Sequence, residues 1–366
     1  MHTFLTTWGL RLLLIANGLL SGALLLACLA SVIPPTISTT VAWLGLGYPY
    51  LGFINLCLVG WWFYKRSKLV YVSLPSVCIS FLFINRYIQA PSIATPADAA
   101  ALTVATYNVH YFDYLYQRKE ASLSENLDTI LHAIKRLDAS ILCLQEFSGY
   151  NTKLSNAAWA YMSRPDGYPY QHRGGKSSLA IYSRFPIVNT GILTFPNSFN
   201  SVIFADLVLP KDTIRVYNMH LQSTRLGVDA EHLLEGEDLT NIKNKETSDK
   251  YKRIRTKVQH AFVLRTEQAR ALAKHIRDCQ YPVLLCGDMN DTPISYAYGV
   301  LTADLYDSFT EQGRGFGSTY AGNIPLLRID YIMASEDFYI RSHEVQSLEF
   351  SDHYPIVTTL DFVHQQ

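Results

Sequence analysis

Cys286-Gly287-Asp288-Met289-Asn290-Asp291-Thr292-Pro293 and Ser351-Asp352-His353-Tyr354-Pro355 decide how this 366-residue chain is read. The first follows the apolar run Val283-Leu284-Leu285-Cys286; the second follows a less regular apolar run, Val345 to Phe350. A short buried strand that finishes in Asp-x-Asn or Asp-His delivers carboxylate, amide and imidazole to one rim of a sheet. Those groups suit a hard divalent cation and a phosphate. Either stretch alone is also what an ordinary polar turn looks like, so the remainder of the chain has to support it.

Working outward, Leu102 to Asn108 is β-branched and alternating, and Ile141 to Gln145 is an apolar run of buried-strand type. Between them Leu127, Ile130, Leu131, Ile134 and Leu137 recur at helical spacing behind Ser124, a candidate N-cap. Further strands are expected over 178–182, 187–193, 201–209, 213–218, 328–333 and 354–360, with a helix over 262–278. Many short strands with few helices suit a layered α/β domain better than a parallel βαβ fold. No phosphate-binding glycine loop or GxSxG elbow occurs.

Polar residues recur where these strands are expected to end: Asn108, Glu146, Asn218, His220, Asp288, Asn290, Asp330, Asp352 and His353. Each has a plain structural explanation. Asn108 terminates a strand, Glu146 is a surface carboxylate, His220 is a satisfied histidine under a loop, and Asp330 pairs with Arg328. The recurrence is the signal, because neighbouring strand ends converge on one rim.

Tyr107-Asn108-Val109, Gln145-Glu146, Ser183-Arg184-Phe185-Pro186-Ile187, Asn218-Met219-His220-Leu221, Gly287-Asp288-Met289-Asn290, Arg328-Ile329-Asp330-Tyr331 and Ser351-Asp352-His353-Tyr354-Pro355 follow one another in this order. From about residue 102 to 361 the chain resembles the endonuclease/exonuclease/phosphatase superfamily, which is deoxyribonuclease I-like. The resemblance implies a four-layered αββα sandwich and metal-dependent phosphoester hydrolysis. It places Mg²⁺ (or Mn²⁺) on Asn108, Glu146 and Asp352. It gives Asp288 the attacking water, with Asn290 holding that water or a phosphate oxygen. His353 would face the phosphate with Asp330 behind it, and His220 would stabilise the phosphate or assist the leaving group. Asn218 is expected to be structural.

The first ninety residues differ in kind. Leu12 to Ile33, Val41 to Tyr64 and Leu69 to Asn85 carry no charge. At ~1.5 Å per residue the first two runs reach across a bilayer core of ~30 Å, and the third is marginal. Three transmembrane helices are therefore expected, at about 10–33, 41–64 and 69–88, followed by a linker over 91–101 and a catalytic domain over 102–366. The rival reading of the first run is a cleaved signal, which the two later runs oppose. Lys65, Arg66 and Lys68 form the dense basic cluster between the runs, which puts that loop in the cytoplasm and the catalytic domain outside the cytoplasmic membrane. A re-entrant third run would reverse that side.

Net charge is zero, which speaks against a dedicated nucleic-acid scavenger without excluding a nuclease. The six cysteines show no CxxC spacing and read as buried thiols. An insertion over about 225–259 runs from acidic (Asp229 to Asp238) to basic (Lys243 to Lys257), as a solvated helix or lid, or as a basic arm beside the site. The expected substrate is a lipid headgroup or another extracytoplasmic phosphoester, presented at the lipid bilayer. Nucleic acid as substrate is the second reading, and a catalytically inert tethered binding module is the third. No protein partner is implied.

Overall fold

The structure, a computed structural model, describes residues 2–90, 101–112, 123–148, 152–164, 167–176, 178–224, 245–322 and 324–363. Most of the 91–101 linker and residues 225–244 of the expected insertion lie outside the described residues.

Among the described residues, twelve strands form two six-stranded mixed sheets. The first has the order β11 (Phe338–Val345), β12 (Ile356–Phe362), β1 (Leu102–Asn108), β2 (Ile141–Gln145), β4 (Leu179–Ser183), β3 (Tyr170–Gly174). The second has the order β5 (Ile187–Thr194), β6 (Ser201–Val208), β7 (Thr213–His220), β8 (Val283–Asp288), β10 (Asp330–Ala334), β9 (Tyr306–Asp307). In each sheet the central pair is parallel, β1 with β2 and β7 with β8.

Side chains alternate between faces along a strand, so each sheet has an inner and an outer apolar face. Val104, Ile141, Val216, Leu284 and Cys286 pack in the core between the sheets. On the outer face of the first sheet, Ala105, Leu142 and Leu144 meet Ile130 and Ile134 of α5 (Leu123–Lys135) and Ala158 of α6 (Thr152–Met162). On the outer face of the second, Tyr217 and Leu285 meet Leu272 of α7 (Lys245–Arg277) and Tyr298 of α8 (Tyr296–Leu301). These are the four layers the sequence implied.

Several boundaries differ from expectation. The helix expected over 262–278 begins at Lys245, so the basic end of the 225–259 insertion is the first half of a 33-residue helix. Strands β3, β9 and β11 were not expected: β9 has only two residues, and β3 and β11 mix polar with apolar residues on a half-covered edge. Ser351 to Pro355 does not end a strand, because the segment between β11 and β12 is a loop.

The amino-terminal region is a helical bundle: α1 (His2–Cys28), α2 (Thr39–Leu46), α3 (Tyr48–Tyr64) and α4 (Val70–Ser80), with a 3-10 turn over Phe81–Arg86. Only the first of the three expected spans forms one helix long and apolar enough to cross a membrane, over Arg11–Ser31. The second is broken at Gly47, where α2 and α3 meet at 67°. The third is an 11-residue helix containing Pro75, continued by the 3-10 turn. Proline removes an amide donor from the helix interior and helps keep this run short.

Beyond a small apolar core at its catalytic-domain end, the bundle inverts the usual polarity. Asn17, Ser21, Asn55, Ser73 and Ser76 are buried, while Leu19, Phe53, Phe63 and Leu82 are 68–75% exposed. The buried groups bond to one another and to backbone: Ser21 Oγ donates to Asn55 Oδ1 (3.2 Å), Asn55 Nδ2 to Leu20 O (3.2 Å) and Asn17 Nδ2 to Leu69 O (3.1 Å).

Candidate active site

Asn108, Gln145, His220 and Asp288 are the last residues of β1, β2, β7 and β8, the four strands that pair in parallel. The inward row on β8 is Leu284, Cys286, Asp288, and on β7 it is Ile214, Val216, Asn218, His220. The row that fills the core with apolar side chains thus turns polar at one rim, and the site is the polar end of the inter-sheet core. Asn218 stays one step inside that rim. Its Oδ1 accepts from Gln145 Nε2 (2.7 Å), and its Nδ2 donates to the carbonyls of Leu144 and Ala180 (2.9 Å each). It clips one sheet to the other.

Two expected strand-end placements are corrected, and the correction explains why the residues still converge. Asp330 opens β10 rather than ending a strand, but β10 is antiparallel to β8 and sets Asp330 opposite Asp288. Asp352 and His353 precede β12, which runs antiparallel to β1. Antiparallel pairing brings the start of one strand to the end of its neighbour. Ser351 fixes this approach, its Oγ donating to the Asn108 carbonyl (2.8 Å). Gly287 permits the close packing behind Asp288: at φ +124° a Cβ there would stand 2.1 Å from the Met219 carbonyl oxygen.

The side chains meet across the two sheets. Asn108 Nδ2 donates to Asp288 Oδ2 (3.1 Å) and lies 3.5 Å from Glu146 Oε1. His220 Nε2 is 3.6 Å from Glu146 Oε1 and 3.7 Å from Asp288 Oδ2. The Asn290 amide donates to Asp288 Oδ1 (2.7 Å), and its Nδ2 donates to Asp288 Oδ2 (3.1 Å) and to the Leu221 carbonyl (3.1 Å). His353 Nδ1 is 2.8 Å from Asp330 Oδ2, while Nε2 is 3.9 Å from Asp288 and 4.0 Å from Asp352. All eight expected site residues therefore gather at one place, and Asn218 does not join them.

Backbone strain concentrates here. Glu146 (φ +53°), Asn290 (φ +55°) and the consecutive His110, Tyr111 and Phe112 all take left-handed conformations. A non-glycine residue held there costs ~1–3 kcal/mol, which the surroundings must supply. The Tyr111 amide helps by donating to the Glu146 carbonyl (2.8 Å).

Burial sets the electrostatics. It pushes the Asp288 carboxyl up to about 8, with Asp330 adding repulsion and His353 and the Asn290 amide acting against it. Burial also raises Glu146, and His110 and His353 partly oppose that rise. For His353 burial alone favours the neutral ring, but Asp330, Asp288 and Asp352 together outweigh it and raise the pKa to about 10. These carboxylates favour the protonated ring of His353, which Asp330 holds from behind.

The donor chemistry of Asn108, Glu146 and Asp352 fits a hard divalent cation: two carboxylates and an amide, with Glu146 half-buried, raised in pKa and making long contacts to Asn108 and His220. Asp288, Asp330 and His353 also lie within coordinating distance of one another. That trio is already compensated, because protonated His353 supplies the positive charge between the two carboxylates.

Sequence reading missed His110, whose Nδ1 is 3.5 Å from Asp352 Oδ1 and whose amide donates to Asn108 Oδ1 (3.0 Å). It also missed Tyr320, which sets its ring edge-on to His353 at 5.6 Å, and Thr319, whose Oγ1 accepts from the Ile329 and Asp330 amides. His110 stands two residues from Asn108, which was the available signal. Tyr320 and Thr319 sit in a loop with none.

A family model described as the Endonuclease/Exonuclease/phosphatase family matches residues 105–353, and a second, a domain of unknown function (DUF8431), matches residues 10–87. Among solved structures, an endonuclease/exonuclease/phosphatase family protein from Bacteroides thetaiotaomicron aligns with a TM-score of 0.51 at 16% identity, over 73% of this chain and 98% of that one. A humanised D. rerio TDP2 gives 0.50 at 17% identity, over 72% of this chain and 100% of the other. TDP2 from Caenorhabditis elegans gives 0.50 at 16%, over 74% and 77%. A search of curated proteins found no match. At such identities the solved structures speak for the fold, while the family model covers more than half of the chain. The chain belongs to the endonuclease/exonuclease/phosphatase family and is a metal-dependent phosphoester hydrolase.

Proposed function

We propose that this enzyme is embedded in a membrane and hydrolyses phosphodiesters at its surface, with a lipid headgroup as substrate. The observation that carries this reading is the inverted polarity of the bundle. Amides and hydroxyls inside and bare leucine and phenylalanine outside suit hydrocarbon as the surrounding solvent and would be costly in water. The helices run back and forth: α1 and α4 head toward the catalytic domain and α3 heads away from it. The exposed Lys65, Arg66 and Lys68 form the turn at the far end. Basic loops stay in the cytoplasm, so the catalytic domain lies on the other side. Each pass after α1 is short for a ~30 Å core, which local thinning accommodates.

In the reaction, Asn108, Glu146 and Asp352 would hold a divalent cation, Mg²⁺ or in its place Mn²⁺. The bound ion supplies neutralisation of the phosphate's charge and polarises its oxygen. Asp288 takes the proton of the attacking water, and it is kept in place by two donations from Asn290 and one from Asn108. Positive charge nearby favours its ionised form against the burial that raises it. His353 presents Nε2–H to a phosphate oxygen, its other nitrogen locked on Asp330. His220, on the opposite side of Asp288, faces the phosphate or the leaving oxygen.

Full-length protein in detergent, assayed on phospholipids, sphingomyelin, bis-p-nitrophenyl phosphate, inositol phosphates and plasmid DNA with Mg²⁺ or Mn²⁺, tests this. Asp288→Ala, Asp352→Ala and His353→Ala should each lower phosphodiester hydrolysis by at least ~10²-fold with the fold intact, as loss of an acid–base or electrostatic group does. Undiminished turnover in those variants, or in excess chelator, would sink the site assignment. Preferential nicking of DNA would replace the lipid reading by a nuclease.

A further inference from the structure

The bundle and the sandwich meet on the loop that carries the site. Asp288 and Asn290 open that loop, and a few residues later it leaves the sandwich. Ile294 is fully buried, not in the sandwich but in the core of the bundle, among Leu24, Ala27, Tyr48, Val77 and Tyr87. Next to it, the Pro293 carbonyl accepts from Arg86 Nη1 (3.2 Å), at the end of the last bundle helix. On the sandwich side, Asp291 is held by Arg265 Nε (3.0 Å), and its carbonyl accepts from Tyr331 Oη (2.9 Å). The loop is thus clamped from both units within six residues of Asp288.

A second path joins Arg86 to the histidine side of the site. Arg328 Nη2 donates to the Arg86 carbonyl (2.9 Å), and its guanidinium pairs with buried Asp307 (2.8 Å). Two residues further on is Asp330, which holds His353. The seam is close-packed: at Gly299 of α8, a Cβ would stand 2.4 Å from the Ser31 carbonyl oxygen in the bundle. Gln89 and Gly315 extend it by exchanging both backbone hydrogen bonds (2.9 Å each).

We propose that the bundle is a working part of the catalytic centre, with Arg86 and Ile294 acting as positioning residues that hold the Asp288–Asn290 turn against His220 and Asp330. This rests on the assignment of Asp288 and Asn290 made above. Neither Arg86 nor Ile294 touches the reacting atoms. Each fixes a point on the loop whose other end aims the Asp288 carboxylate, and small displacements of such a group are expensive in rate.

The test uses full-length protein in detergent and bis-p-nitrophenyl phosphate, a soluble substrate that needs no membrane delivery. Arg86→Ala and Ile294→Ala should lower kcat by on the order of tenfold or more, with KM within about twofold, after correction for the folded fraction. Hydrogen exchange should rise over residues 287–295 and stay unchanged in β1, β2 and β7. Arg86→Lys and Ile294→Val should recover most of kcat. Gln259→Ala, which removes a bundle contact away from the loop (Gln259 Nε2 to Thr39 Oγ1, 3.2 Å), should behave as wild type. Wild-type kcat in both alanine variants would overturn the proposal, as would a loss shared equally by Gln259→Ala. Asp288→Ala is run alongside: if it remains active, the site assignment has failed instead.

Discussion

The helical unit and the sandwich bury opposite things. In the sandwich, branched aliphatic and aromatic side chains fill three apolar layers, and the polar groups that come inward are tied into bonds, at the site, at Asn218 and in the buried pairs Arg328–Asp307 and Arg265–Asp291. In the bundle, Asn17, Ser21, Asn55 and Ser73 are inside next to a small apolar core around Leu24, Tyr48 and Val77, and many large apolar residues, Leu19, Phe53, Phe63 and Leu82 among them, face out. Water drives apolar surface inward, whereas hydrocarbon offers no such drive and leaves packing and internal hydrogen bonds to hold helices together, which is the setting proposed for the bundle. The lesson lies at the seam, where the active-site loop is shared between the sandwich and the bundle proposed to sit in lipid.

The contrast can be broken most severely by charging the outer face of the bundle. Leu19→Lys with Phe53→Lys should cost about 3 kcal/mol for each lysine near the centre of a span and abolish membrane integration, as read by carbonate extraction. Normal integration would mean that this face does not meet lipid. On the sandwich, Tyr339→Lys, at another exposed apolar position, should shift stability by no more than about 0.5 kcal/mol.

Next in size is the inward polar group of the sandwich. Asn218→Ala takes the Asn218 donor from the Leu144 and Ala180 carbonyls and one of three acceptors from the Gln145 amide, and should destabilise the domain by about 2–4 kcal/mol in thermal unfolding. The matching change in the bundle, Asn55→Ala, should cost only about 0.6–1.7 kcal/mol, because the membrane-inserted reference state finds other partners. Equal costs would remove the distinction between the two interiors.

The gentlest test is pH. His353 has its pKa raised above the unfolded value near 6.5, so the stabilisation it brings is complete below about pH 6.5 and fades as pH rises through about 10. Asp288 works in the same direction: its raised pKa means the folded state keeps a proton up to about 8 that the unfolded chain has already lost, so folding is disfavoured as pH climbs from about 4 to 8. Metal-free protein should therefore lose stability toward alkaline pH, and His353→Gln should flatten the upper part of that decline in denaturant titrations. An unchanged slope in the variant would show that His353 is not charged in the fold.

Much of the site was legible because its residues lie beside short continuous apolar runs of buried-strand type. Leu284-Leu285-Cys286 before Asp288 is readable as a strand without knowing its neighbours, and so is Ile141-Leu142-Cys143-Leu144 before Glu146. Asp330 and His353 were legible as motif residues but misplaced on their strands, since strand direction depends on which neighbour is paired. His110 had only its place two residues after Asn108 as a signal, and Thr319 and Tyr320 had none. A loop residue reaches the site through backbone turns, such as the left-handed run at 110–112, that side-chain patterning does not encode.

By itself the sequence determined the composition of both interiors, the order of the motifs and hence the chemistry, because local hydrophobic period and residue type are properties of short segments. Tertiary structure decided the rest. Antiparallel pairing carried Asp330 and His353 to the rim where Asn108 and Asp288 end, since only the register of β8 with β10 and of β1 with β12 sets those distances. It also decided that Ile294, an unremarked isoleucine four residues past Asn290, packs into the helical bundle rather than the domain that carries it. Nothing in a linear pattern distinguishes those two destinations; the shape of the seam does.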